Sequence, residues 1–193
     1  MARPRSFDTD VAIEKAMHVF WTHGYEGASL PDLLDGMGLT RGSLYKAFTD
    51  KKTLFLKVLD HYESKAVQAG VALLTNPEIP NGADRIRTMF TSAYQAVTQG
   101  DQRGCLLCTA AAGPSAYDAV IAAAVENGLS ELRDGMAVAL ESSPAHTDLN
   151  AEGRRILADM LIAQYVGLRT MARARVADDT LRNAVRSVGV MLA

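Results

Sequence analysis

The sequence predicts an all-α chain, a small three-helix head followed by a larger helical body. Three features predict it. Apolar residues recur at three- and four-residue intervals along most of the chain. Strand patterns are almost absent, and alanine is abundant in the second half, as in Ala110-Ala111-Ala112 and Ala122-Ala123-Ala124, where it favours helix and lets helices approach closely. Glycine, proline and capping residues fall where they would cut the chain into helical lengths.

Ile13, Ala16, Met17 and Phe20 share one helical face, which predicts a first helix from near Asp8 to Gly24. Ser29 then stands as an N-cap before Leu30, Leu33, Leu34 and Met37, with Pro31 tolerated in the first turn and Gly38 at the end, giving a second helix of about two turns. Thr40 caps a third, Arg41 to Phe48, with Leu44 and Phe48 on one face. Asp50 caps a long fourth helix through Leu54, Phe55, Val58, Leu59 and Tyr62 toward Leu74, ended by the segment Asn76 to Gly82 with its two prolines. Further helices are expected at about 83–99, 104–111, 116–141, 151–174 and 178–192.

The composition fits a folded globular chain. Of 193 residues, 48% are hydrophobic and 22% charged, which excludes a disordered or fibrous class. No apolar run approaches the roughly 18 residues of a spanning helix, and MARPRSFDTD lacks a signal-peptide core, so a cytoplasmic location is expected. The residues divide on this reading into a head, 1–50, and a body, 51–193.

Chemistry concentrates between Ser29 and Phe48. Two short helices flank the turn Met37-Gly38-Leu39-Thr40, in which a glycine reverses the backbone, an apolar residue plugs the junction and a small capping residue opens the next helix. Such a helix-turn-helix offers its second helix to a major groove about 12 Å wide. Its outward residues Arg41, Gly42, Ser43, Tyr45 and Lys46 include several hydrogen-bond donors and no acid. Lys51 and Lys52 follow at a helix N-terminus, which suits an anion, and Arg3 and Arg5 could reach an adjacent groove. A net charge of −2 gives no general basic field, so nucleic-acid binding rests on where the cations sit.

The run Gly24-Tyr25-Glu26-Gly27-Ala28-Ser29 and the run from Gly38 to Phe55 resemble the DNA-binding signature of the TetR family of repressors, in order and spacing, over about 50 residues. The resemblance implies a DNA-binding head with Thr40, Arg41 and Ser43 near base edges or phosphates and Tyr45, Lys46 and Lys51 on the DNA backbone; Ser29 and Gly42 complete the expected surface. Two positions depart from the family pattern: Ala47 stands where histidine is frequent, removing one phosphate partner that Lys46 can replace, and Leu34 stands where a small alanine is frequent.

A nearly neutral head requires two copies to hold an operator firmly. Ile156, Met160, Ala163, Gly167 and Thr170, with Leu181, Val185, Val188 and Leu192, form stripes at helical spacing on the last two helices. They are the expected homodimer surface, shared with the body's own core; the resemblance implies a four-helix bundle there. It also implies a sensor pocket in the body. Tyr62, Phe90, Tyr94, Cys108, Tyr117, Ile121, Gln164 and Tyr165 are its candidate lining, because apolar bodies with polar tips suit a small-molecule effector.

Cys105 and Cys108 are the only cysteines. At i and i+3 they share a face, either as buried inert thiols or as a sensor of oxidants or electrophiles. The second alternative makes the chain a thiol-responsive repressor of the same fold. No histidine or acid pattern accompanies them for nucleophilic catalysis, no glycine-rich phosphate loop is present, and His18, His23, His61 and His146 are too scattered for zinc. The expected protein is therefore no enzyme, carries no cofactor or metal, and regulates transcription, most simply as a repressor released by a ligand.

Overall fold

The computed structural model describes residues 7–193; Arg3 and Arg5 lie outside them. The elements are α1 (Thr9–Gly27), α2 (Leu30–Met37), α3 (Arg41–Phe48), α4 (Lys51–Tyr62), a π-helical turn (Glu63–Val67), α5 (Gln68–Leu74), α6 (Gly82–Thr98), α7 (Leu106–Ala111), a 3-10 turn (Pro114–Tyr117), α8 (Ala119–Glu141), a second 3-10 turn (Pro144–His146), α9 (Ala151–Arg173) and α10 (Asp178–Met191). Among the described residues there is no strand, and no helix is long and apolar enough to cross a membrane.

The head is set by its caps. Asp8 accepts from the amides of Asp10 and Val11 at the start of α1. Ser29 and Asp32 form a reciprocal capping box on α2, Thr40 Oγ1 accepts from the Ser43 amide, and Asp50 Oδ1 accepts from the Thr53 amide at 2.7 Å. Each satisfies amides that a helix start would otherwise leave unpaired. Gly38 takes φ 67° and ψ 35°, a left-handed conformation that glycine adopts without a Cβ penalty, and the Leu39 amide then donates to the Leu34 carbonyl at 3.0 Å.

The axis of α1 breaks at Gly24 (φ 72°, ψ 173°), where the sequence predicts its end, and one further turn runs to Gly27. The long fourth helix forms as α4 and α5, but the π-helical turn between them inserts an extra residue into the ladder. Two body helices begin later than expected: residues before Leu106 are not helical, and Gly113-Pro114 starts a separate 3-10 turn before α8.

The core is one continuous cluster. Phe20 lies 4.8 Å from Phe55 and Tyr25 4.9 Å from Phe55, ring to ring, so the first turns of α4 complete the head. Trp21 meets Tyr62 edge-on at 5.3 Å, carrying the core into the body. There α8 packs against α9, and α6 against α8 and α10. At the turn before α6, the buried Arg85 donates to the carbonyls of Ile79 and Leu74 at 2.6 and 3.4 Å, and the Gly82 amide donates to the Ser142 carbonyl.

Candidate nucleic-acid interface

On α3 the buried side is Leu44 and Phe48, and the opposite side exposes Arg41, Gly42, Tyr45 and Lys46. Tyr45 is 46% exposed, unusual for so large a ring. The small polar residues at the rim are committed to the fold. Ser29 Oγ donates to Asp32 Oδ2 at 2.5 Å, and Thr40 Oγ1 donates to Ser43 Oγ at 3.0 Å, while Ser43 is half-buried. They therefore fix the attitude of α3, and its exposed side chains are the groups free to reach outward. Ala47 is half-buried and Leu34 packs against the core, so neither departure from the family pattern opens a gap.

The lysines after α3 divide their work. Lys51 Nζ donates to the Glu26 carbonyl at 3.3 Å and lies 4.8 Å from the Tyr25 ring centroid. Its burial lowers its pKa below the ordinary ammonium value, and it clamps the end of α1 to the start of α4. Lys52 pairs with Asp118 at 2.5 Å, joining the head to the N-cap of α8.

Other contacts across this seam carry no sequence signal. Arg173 Nη1 donates to the Trp21 carbonyl at 2.8 Å and to the Arg103 carbonyl at 3.1 Å. The Arg103 guanidinium lies 4.3 Å from the Trp21 ring centroid and pairs with Asp101 at 2.8 Å. Glu26 Oε1 accepts from the Ser115 amide at 2.5 Å. His61 and Lys65 meet Glu14 at 2.6 and 2.9 Å; the hydrogen bond with His61, then that from Lys65, hold its carboxyl at about 2.

Inside the body, a cavity of about 290 Å³ is lined by Tyr62, Met89, Cys105, Tyr165 and Arg169 among others. Of the eight residues the sequence suggests for a pocket, Tyr62 and Tyr165 line it, and Phe90 is buried beside the Tyr165 ring at 5.5 Å. Cys108 lines a separate cavity of about 220 Å³ at the seam. Ile121 is buried in α8. Tyr94 turns away to hydrogen-bond Asp178 at 2.7 Å, Gln164 Nε2 donates to the Ala184 carbonyl and Ser187 Oγ, each at 3.0 Å, and Tyr117 is 94% exposed because the 3-10 turn holds it outside. Arg169 and Cys105, absent from the expected lining, face the interior cavity and the seam cavity alike.

Tyr62 Oη donates to Cys105 Sγ at 3.4 Å. Donation from the Cys108 thiol, with that from Tyr62, holds Cys105 below the ordinary thiol range against the opposing effect of burial. The same hydrogen bond and burial push Cys108 up. Both cysteines are free and buried.

The candidate dimer residues split between two roles. Ile156, Met160, Ala163 and Thr170 are exposed on α9, Gly167 and Val185 are half-buried, and Leu181 and Val188 are buried within the protomer. Beside Ala163, a groove of about 460 Å³ opens between α8 and α9, lined mainly by alanine, valine, leucine and isoleucine side chains with Arg133 and Asp159 at its edge.

A helix-turn-helix head with a donor-rich outer helix, fused to an all-α body, defines a DNA-binding transcriptional regulator. The family described as "Bacterial regulatory proteins, tetR family" matches residues 12–58. The regulator YezE of Bacillus subtilis (strain 168) is 30% identical over 190 residues, 96% of each chain. The repressor ComR of Escherichia coli (strain K12) is 52% identical over 60 residues, 31% of this chain and 29% of its own length. A cysteine mutant of the TetR family transcriptional regulator CifR, solved with 26bp double-strand operator DNA, is 30% identical, covers 98% of each chain and superposes with a TM-score of 0.78. The chain belongs to the TetR family, and with it to transcriptional regulators rather than enzymes.

Proposed function

We propose that this protein is a homodimeric repressor that holds an operator through α3 and releases it when a small molecule engages the body. The head, 1–50, would read DNA: Arg41 at base edges or phosphates, Tyr45 and Lys46 on the DNA backbone, with Ser29, Thr40, Gly42, Ser43 and Lys51 setting or lining that surface. The body, 51–193, would dimerise through the exposed stripe of α9, including Ile156 and Met160, with Val185 of α10. The observation that carries the reading is the exposure of Arg41, Tyr45 and Lys46 on a helix fixed at its start by the Thr40 cap. The relation to CifR, which binds operator DNA as a solved complex, supports it.

The effector would occupy the interior cavity between Tyr62 and Tyr165, where aromatic rings and Arg169 combine apolar surface with a donor. A second reading, release through the chemical state of a thiol, is favoured by one observation: Tyr62 Oη donates to Cys105 Sγ on that cavity's wall, an interaction that supports a thiolate. Binding-site selection with the purified protein, repeated with a metabolite panel and with hydrogen peroxide, tests all of this. One enriched palindromic site is expected, lost on adding one metabolite; loss with peroxide alone selects the thiol reading. Absence of any enriched site overturns both.

A further inference from the structure

The seam cavity of about 220 Å³ lies where the end of α1, at Gly24 and Glu26, meets α7 and α9. Its volume equals about seven waters of liquid, room for a small metabolite. Two guanidinium groups line it, Arg169 and Arg173, together with Cys108, Thr109 and Ala112. Among the described residues neither guanidinium forms an ion pair with a carboxylate, as is also true of Arg41, Arg85, Arg175 and Arg186. Arg173 donates only to the carbonyls of Trp21, Thr22 and Arg103. Arg169 donates to the Gly104 carbonyl, and its Nε is buried with no hydrogen-bond partner among the described residues.

A buried guanidinium donor without an acceptor, as at Arg169 Nε, is costly, and two cations one helical turn apart attract an anion more strongly than either alone. The one acid in the lining, Glu26, has Oε1 engaged by the Ser115 amide, on the α1 side of the cavity. The wall formed by α9 is therefore cationic and under-satisfied, while Cys108 and Ala112 offer a small apolar surface beside it. We propose that this cavity binds a small aliphatic monocarboxylate, its two oxygens accepting from Arg169 and Arg173 and its short chain lying against Cys108 and Ala112. The site adjoins the interior effector cavity proposed above and shares Arg169 and Cys105 with it, whereas Arg173, Cys108, Thr109 and Ala112 line this cavity and not the other. Because Arg173 also holds the Trp21 carbonyl, an anion here engages the residue that ties the head to the body.

The test is calorimetric titration of the full-length protein with propionate, against propionamide as the uncharged isostere and sodium chloride at matched ionic strength. Propionate is expected to bind saturably, one per chain, with no saturable heat from propionamide or chloride. Arg169→Gln and Arg173→Gln are each expected to weaken binding about tenfold, the effect of removing one charge-assisted hydrogen bond. Ala112→Leu keeps both cations and adds bulk to the cavity lining, so it is expected to abolish binding, whereas Ser92→Leu, which narrows only the interior cavity, leaves binding unchanged. Absence of saturable propionate binding overturns the proposal. So does equal binding by propionamide, or an unchanged affinity in folded Ala112→Leu protein.

Discussion

The guanidinium of Arg173, near the end of α9, donates to the carbonyl of Trp21 in α1 at 2.8 Å. This bond spans 152 residues of sequence and joins the body directly to the helix that supports the DNA-reading head. A shift of α9 therefore reaches α1 without passing along α4, so the head has two mechanical connections to the body. One is covalent, through α4, whose first turn Lys52–Asp118 ties to α8, and the other is made of Arg173 and Glu26–Ser115.

Replacing Arg173 by methionine keeps most of its apolar stem and removes the donors. Loss of these half-exposed bonds is expected to cost about 1–2 kcal/mol, lowering Tm by several degrees as followed by circular dichroism. The same variant is expected to loosen the coupling between body and head, so an effector that releases the parent protein from DNA acts more weakly on it.

Gly82 allows the start of α6 to lie against the end of α8. A Cβ there would stand 1.6 Å from the Ala139 carbonyl oxygen, a backbone atom that cannot rotate away. Gly82→Ala is expected to destabilise by about 3 kcal/mol, at the upper end for overpacking, measured by urea unfolding.

Glu14 gives a pH signature. Its folded pKa of about 2 lies below the unfolded value of about 4.3, so its contribution is present in full above about pH 4.3 and is lost as pH falls toward about 2. The carboxylate is partly exposed, which limits the contribution at neutral pH to about 1 kcal/mol or less. Urea unfolding of Glu14→Gln is expected to show reduced stability near neutral pH and a difference that shrinks as the acid range is entered.

The Thr40 cap is local enough to isolate. Thr40→Val removes the oxygen that accepts from the Ser43 amide while retaining its branched shape, at an expected cost of about 1 kcal/mol. Because removing this hydrogen bond frays the first turn of α3, operator affinity is expected to fall further than stability alone explains, as anisotropy titration beside thermal unfolding would show.

The head is legible in the sequence because its determinants are local. Ser29, Gly38, Thr40 and Asp50 each act on amides or turns within a few residues, and the structure uses all four as the sequence suggests. The body is less legible for physical reasons. The π-helical turn Glu63–Val67 contains no glycine or proline, so nothing in the pattern marks its altered period. Cys105 caps α7 without a side-chain hydrogen bond, leaving that helix start unsignalled. Tyr117 matches an amphipathic lining residue in type but faces solvent, since its turn belongs to Pro114–Tyr117 and not to α8. Arg169 and Arg173 lie one turn apart on an otherwise readable helix, yet their partners at Gly104, Trp21 and Arg103 come from distant segments that no period connects.

If the exposed face of α3 holds DNA, the salt dependence of operator binding must differ between the parent protein and Lys46→Ala. Weaker binding by Lys46→Ala is expected for every operator sequence, with a log–log salt slope shallower by about 1 for each phosphate that the variant no longer neutralises and with the fold unchanged. Equal affinity and an equal slope for the two proteins would show that α3 does not hold the DNA backbone through Lys46.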